Sequence, residues 1–345
     1  VQALVTEPGH AHTTRVEDVP AVEAREGEVL LRTLEVGVCG TDREISEGLF
    51  GAPPEDKSVL VLGHESLAVV ERDGYGFTRG QLVTATVRRS CGHCLACAEE
   101  SPDSCLTGDY SERGITRLDG YDRELVAEDP AQLVAIPKSL GRLGVLAEPT
   151  SICERALRHS RTIGGRQPWQ LERALVIGAG AIGLLTTYLL RLADVEVTTA
   201  SLEPENDLVE QSGAHYVSTH DTELSALGKF DLVIEAAGNA QLMAESLGLL
   251  RRSGVACLLG IDPRQQTVEL DGLVLGVDTI LENRVLFGSV NARRQDWLAA
   301  VADLEMVRRR WPEALEQFVT LRVPLDRFAE AFEHRAGKAT LVLSD

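Results

Sequence analysis

Residues 173–190 read RALVIGAGAIGLLTTYLL, an apolar run, three glycines at 178, 180 and 183, and a second apolar run. The pattern predicts a short buried strand, a tight turn and a helix beginning near Ala181. In such a GxGxxG turn Gly178 permits the reversal, Gly180 lets a pyrophosphate approach the backbone, and Gly183 lets helix and strand pack closely. Ala181 and Ile182 open the helix, whose positive end would face the phosphates. A glycine-rich turn with no ligand has the same local spelling, so the flanking chain decides. It continues VEVTTAS, PENDLVEQSGA, FDLVIEAAG, GVACLLGI and RVLFGSVN, short buried strands alternating with helical stretches. That alternation predicts a doubly wound parallel sheet over 159–291, built to hold a dinucleotide.

The second strand should end near Ala200, where an acidic side chain binds the ribose hydroxyls of NAD or an arginine receives the extra phosphate of NADP. Here the run is Ala200, Ser201, Leu202, Glu203, with no arginine close by. Glu203 would repel a phosphate, so the balance favours NAD. Ser201 could still donate to a phosphate, and NADP stays open.

At 345 residues the chain is long for one domain, against a usual size of roughly 100 to 200 residues. Upstream of the alternating region the pattern is β-rich and broken by glycine, as in EVLLRTLEVGVCG and SVLVLGHESLAVVE. This predicts a partly open β-barrel-like domain over 1–158. After Asn291 a helix is expected over 297–317, and PLDRFAEAFEHRAGKATLVLSD offers a helix and a terminal strand that rejoin the first domain, giving 292–345 to it. With 44% hydrophobic and 25% charged residues, and no apolar run of about 18 residues, the chain reads as soluble, with no membrane partner. Val1 to Pro8 lack a basic stretch followed by an apolar one, and the expected location is cytoplasmic. A formal charge of −19 argues against nucleic acid as partner. Arginine supplies nearly all the cations; the lysines are Lys57, Lys138, Lys229 and Lys338.

The cysteines are too few and too clustered for a disulfide scaffold. Cys91, Cys94, Cys97 and Cys105 form CxxCxxCx7C in a loop-like segment. Four thiolates fill a tetrahedral zinc shell and leave no open position, so a structural zinc is expected, with an iron-sulfur cluster or idle thiols as alternatives. His93, inside the loop, is expected to be exposed. A second constellation is dispersed: Cys39 in VCGTD, His64 and Glu65 in LGHE, and Glu148 in AEPT. Cysteine, histidine and carboxylate suit a catalytic zinc with an open position. Taken singly, each is also an ordinary buried or surface residue.

Taken in order, VCGTD, GHE, the cysteine loop, AEP and GxGxxG resemble the medium-chain zinc alcohol dehydrogenases over essentially the whole chain. CGTDREI at 39–45, LVLGHE at 60–65, VRRSCGHC at 87–94, TGDYSERGITRLDGY at 107–121 and GSVN at 288–291 narrow the resemblance to the glucose 1-dehydrogenase family. The resemblance implies a GroES-like catalytic domain beside a Rossmann domain. It implies that Cys39, His64 and Glu148 bind catalytic zinc, with Glu65 an intermittent ligand or neighbour and Asp42 orienting His64. Thr41 would contact the substrate alcohol and begin the proton relay, while Glu112 and Asn291, with Glu154 nearby, would contact the sugar. The implied reaction oxidises the anomeric hydroxyl of an aldose, D-glucose foremost, to the aldonolactone, with hydride passing to NAD or NADP. A polyol or secondary-alcohol dehydrogenase of the sorbitol or threonine type is the alternative, and a non-enzymatic dinucleotide-binding protein the remote one. The chain departs from related patterns at Ala68, where a glycine is common, and at Glu44, where classical alcohol dehydrogenases carry a relay histidine. Val87 and Leu202 differ from some glucose dehydrogenases too. A homodimer or homotetramer is expected, paired through the sheet edge RVLFGSVN.

Overall fold

The computed structural model describes residues 1–344. The chain divides into two units: Val1–Ser151 with Asn291–Glu305 and the stretch from Phe318 onward, and Ile152–Val290 with Met306–Gln317.

The first unit is organised on the strand Val29–Val38. Along one side it pairs antiparallel with Glu65–Val70; along the other, Leu125–Glu128 covers its first half and the terminal strand Lys338–Val342 its second. Leu82–Ala85 and Leu133–Ala135 extend one flank and Val319–Pro324 the other, completing a seven-stranded sheet. The terminal strand therefore does rejoin this unit. Val29, Leu31, Val36, Ala68, Val70, Val83, Tyr121, Val126 and Leu133 form its core. Two buried carboxylates tie the layers. Glu35 meets Thr340 Oγ1 at 2.6 Å, Arg322 Nε at 2.9 Å and Arg142 Nη1 at 3.3 Å. Glu128 accepts from Tyr121 Oη at 2.6 Å, Arg89 Nη2 at 2.8 Å and Arg113 Nε at 2.9 Å.

The second unit holds a six-stranded, wholly parallel sheet. Its strands, in spatial order, are His215–Ser218, Glu196–Ser201, Arg173–Ile177, Phe230–Glu235, Leu250–Leu258 and Val285–Gly288. In chain order this is 3-2-1-4-5-6, the doubly wound arrangement whose ligand crevice lies at the carboxyl ends beside the first strand. Central strands such as Phe230–Glu235 are buried throughout, as a sheet covered on both faces requires.

Two expectations shift. The division falls after Ser151, not 158, because the helix Ala147–Gly164 gives most of its length to the second unit, where Cys153 Sγ lies 3.5 Å from the Ile182 carbonyl. Residues 306–317 also join that unit: Trp311 stands edge-on to buried Tyr188 at 5.2 Å, and Arg310 reaches Asp194 at 3.3 Å. Among the described residues no helix is long and apolar enough to cross a membrane.

Burial opposes the Glu128 carboxylate, but Arg113, Arg89 and the Tyr121 hydroxyl outweigh it and hold its pKa below the ordinary value. A depressed folded-state pKa contributes stability that is complete above the unfolded value, near 4.3, and is lost as pH falls towards the folded one. Glu128→Gln, which strands Arg89 and Arg113, is expected to cost about 3 to 5 kcal/mol at neutral pH. It should also flatten the loss of stability on acidification below about pH 5. Urea unfolding at several pH values measures both; an equal acid slope in wild type and variant would count against this account.

Candidate active site and metal centres

Cys39 follows the central strand directly and stands at the N-cap of the helix Gly40–Ser46. Asp42 Oδ2 accepts the Cys39 backbone N–H at 2.9 Å, the capping arrangement that satisfies an orphan helix donor. Its other oxygen is thereby turned towards His64, with Oδ1 3.3 Å from Nδ1. Both atoms are buried, and neither has another partner. The opposite ring nitrogen, Nε2, lies 3.2 Å from Cys39 Sγ. Burial disfavours an imidazolium here, yet Cys39 and Asp42 together hold the His64 pKa well above its ordinary value. Burial and the nearby Asp42 push the Cys39 thiol up.

Glu65 opens its strand opposite Gly37. Both carboxylate oxygens take buried Lys338 Nζ, at 2.7 and 2.6 Å. Donor atoms of Cys39, His64 and Glu65 all lie within 4.8 Å of one another. Glu148 is not in that tight group. It is buried in the first turn of Ala147–Gly164, and burial, then Glu65, raises its carboxyl to about 8. Thr41 is half-buried, one residue into its helix. A tetrahedral zinc with ordinary bond lengths separates sulfur and nitrogen ligands by about 3.6 Å, so the Cys39–His64 pair needs only a small opening to hold one. Unpartnered Asp42 Oδ1 and His64 Nδ1 fit an imidazole oriented from behind.

The cysteine loop gathers Cys91, Cys94, Cys97 and Cys105 within 4.8 Å of one another. Sγ atoms of Cys91 and Cys97 are 3.8 Å apart and those of Cys94 and Cys97 3.4 Å, close to the roughly 3.8 Å edge of a tetrahedral zinc–thiolate shell. Hydrogen bonding from Thr107, then from the His93 backbone, lowers the Cys91 thiol to about 5. This spacing suits one ion. The His93 ring is exposed, turned to the Cys91 carbonyl at 2.8 Å.

Glu112 and Asn291, distant in sequence, meet in the first unit: Asn291 Nδ2 donates to Glu112 Oε1 at 2.8 Å, and Arg88 Nε reaches the same oxygen at 3.0 Å. Oε2 of Glu112 takes no hydrogen bond from the described residues. Arg88 also stacks over Tyr110 at 3.9 Å. Glu154 is buried but belongs to the second unit.

In the second unit Gly178 has φ +101°, a left-handed conformation that glycine tolerates, and a Cβ there would meet the Ala237 nitrogen at 2.8 Å. A Cβ on Gly183 would lie 1.9 Å from the Gly178 carbonyl oxygen, whereas Gly180, at the helix N-cap, faces open space. That opening beside uncapped N–H groups, with Ala181 and Ile182 starting the helix, fits a pyrophosphate. At the end of the second strand the Ser201 hydroxyl donates to Glu203.

Lys338 and Asp122 escaped the sequence reading. Lys338 is a lysine at the start of a terminal strand, and no spacing marks it. Asp122 is buried with an unpartnered Oδ1, and burial, then Asp42, pushes its pKa well up.

Fold and site together define a zinc-type, dinucleotide-dependent oxidoreductase of the alcohol dehydrogenase class. Residues 25–138 match the alcohol dehydrogenase GroES-like domain and residues 141–344 the glucose dehydrogenase C-terminus. The chain is 37% identical over 345 residues to glucose 1-dehydrogenase of Methanocella arvoryzae, covering 96% of each. It is 39% identical over 341 residues to that of Thermoproteus tenax, again covering 96% of each. The Haloferax mediterranei glucose dehydrogenase, solved in complex with NADP, Zn and gluconolactone, is similar over 100% of both chains with TM-score 0.90 and 32% identity. The chain belongs to the glucose dehydrogenase family.

A methyl group on Gly37 would fall 2.1 Å from Glu65 Oε2, which Lys338 keeps from yielding. Gly37→Ala is expected to destabilise the chain by about 1 to 3 kcal/mol. Chemical denaturation checks it; an unchanged midpoint would mean that Glu65 moves freely.

Proposed function

We propose that the chain oxidises D-glucose at its anomeric carbon to gluconolactone, with hydride transfer to a nicotinamide dinucleotide. The observation that carries this reading is the full-length likeness to the Haloferax enzyme, whose complex contains NADP, Zn and gluconolactone. Cys39, His64 and Glu148 would hold the catalytic zinc, with Glu65 as an alternative carboxylate and Asp42 fixing the imidazole. When bound, the metal supplies the Lewis acidity that lowers the pKa of the sugar hydroxyl. The Thr41 hydroxyl would accept the proton of the sugar hydroxyl and release its own to solvent. Glu112 offers its uncommitted Oε2 to a sugar hydroxyl while Asn291 and Arg88 hold Oε1. Cys91, Cys94, Cys97 and Cys105 hold a second, structural zinc. We place the protein in the cytoplasm, where a reducing milieu keeps such thiolates available.

For the dinucleotide, Ser201 and Glu203 favour the ribose hydroxyls of NAD, since the Glu203 carboxylate would repel an added phosphate. We further propose a homo-oligomer. The strand Val285–Gly288 is a sheet edge and half-exposed, not buried as its composition suggests, and Leu273, Leu275, Ile280 and Leu281 stand exposed in the same unit. Pairing with a second copy would cover an apolar edge of this kind.

Initial rates with glucose, galactose, xylose, sorbitol and threonine, each with NAD and NADP, test the substrate reading, and faster turnover of polyols or threonine would sink it. Zinc analysis is expected to find about two ions per chain and one fewer in Cys39→Ala or Cys94→Ser. Cys39→Ala should lose roughly a thousandfold in kcat/KM. Glu203→Gln should improve NADP relative to NAD by about tenfold. Ile280→Asp with Leu281→Asp should lower the mass seen by light scattering; an unchanged mass would exclude this edge as the interface.

A further inference from the structure

A recess of about 320 Å3 opens in the first unit, lined by none of the residues proposed above to hold zinc, sugar or dinucleotide. Lys57, Arg113, Arg117 and Arg123 line it among aliphatic side chains, and Asp119 is the one carboxylate in its wall. In a chain of formal charge −19 such a cationic hollow needs a reason.

Partners already satisfy two of these charges. Asp119 takes Lys57 Nζ on Oδ2 and the Val61 N–H on Oδ1 at 3.2 Å, so its charge is shared before an arginine meets it. Arg113 is held by Glu128 and by the Asp119 and Ala127 carbonyls, each at 2.8 Å. Arg117 is different, because its only ion pair is a 3.5 Å contact with exposed Asp109. Arg123 is the least compensated. Its side chain is 7% exposed, its one hydrogen bond runs from Nη2 to the Pro20 carbonyl at 2.7 Å, and Nε is buried with no partner. Among the described residues it has no ion pair. Asp119, already paired with Lys57, is the carboxylate that partly offsets the burial of Arg123, and a buried guanidinium short of negative charge is completed by an anion.

We infer that this recess binds a phosphate group, gripped by Arg123 and Arg117 with Lys57 at the mouth. Guanidinium forks match phosphate oxygens two at a time, and an ammonium adds a point charge. A volume near the lower end of small-molecule sites, about 300 Å3, also admits a short organic body against the aliphatic wall. The group therefore arrives either as inorganic phosphate or as a small phosphate monoester. It is distinct from the dinucleotide phosphates, which belong to the glycine turn of the other unit.

The test is calorimetric titration of the full-length, zinc-loaded chain, saturated with NAD so that the glycine turn is occupied, with inorganic phosphate and with glycerol 3-phosphate at constant ionic strength. Saturable binding in the millimolar range or tighter is expected, weakened about tenfold in Arg117→Gln and in Lys57→Gln. Those positions are exposed enough that the unliganded melting temperature should stay put, whereas Arg123→Gln removes a buried group and is read only if it folds. Tighter binding of the monoester points to an organic ligand, and equal binding to free phosphate; both support the site. Absence of saturable binding, or binding undiminished in Arg117→Gln and Lys57→Gln, would overturn it.

Discussion

Lys338 and Glu65 meet across Gly37, and much of the first unit depends on that meeting. The central strand runs between the strand that Glu65 begins and the strand that Lys338 begins, with Gly37 paired to Glu65 on one side and Val38 to Ala339 on the other. Any side chain at 37 would fill the space where the carboxylate lies. A buried ion pair of this kind adds little net stability. Register is what it specifies, because a one-residue slip would send Glu65 to the opposite face of the sheet. The same register brings His64 to Cys39, one residue past the strand's end. Thus the last residues of the chain help to assemble a site made of residues near its beginning.

Around that site buried carboxyl groups outnumber buried cations. Asp42, Glu65, Asp122 and Glu148 are all buried, and Lys338 is the buried cation that faces Glu65. Asp122 and Glu148 respond with raised pKa values, as carboxyls do when water is removed without compensation. A divalent cation among Cys39, His64 and one of these carboxylates would relieve that imbalance. The electrostatics and the donor chemistry therefore favour the same occupant.

The parts legible in sequence were those encoded locally. Glycine spacing between two apolar runs marked the turn at 178–183, and strand-helix alternation marked the parallel sheet, because each rests on neighbours in the chain. CxxCxxCx7C was legible for the same reason. Cys39, His64, Glu65 and Glu148 were different: only resemblance joined them, since nothing in their spacing states that a strand register will bring the first three together. The pairing of Asn291 with Glu112 was likewise invisible to periodicity. Lys338 was missed because lysine at a strand start normally reads as solvated, and its burial follows from a partner elsewhere in the chain. The misplaced boundaries have a similar origin. A helix that runs unbroken from 147 to 164 offers no break in composition where the units divide, and Trp311 joins the second unit through Tyr188.

The two cysteine groups show how environment, not residue type, sets a thiol's chemistry. At the loop, hydrogen bonds from Thr107 and backbone N–H groups favour the Cys91 thiolate, while burial and the neighbouring Cys94 sulfur hold the Cys97 thiol up. Cys39 sits in the opposite situation, where burial and Asp42 oppose ionisation and His64 only partly offsets them. Its proton must leave as an ion enters, so metal binding there is coupled to pH. Four thiolates fill a tetrahedral shell, whereas three mixed ligands leave a position for another oxygen. That contrast is why the dispersed group, not the conspicuous cysteine motif, is the one suited to chemistry.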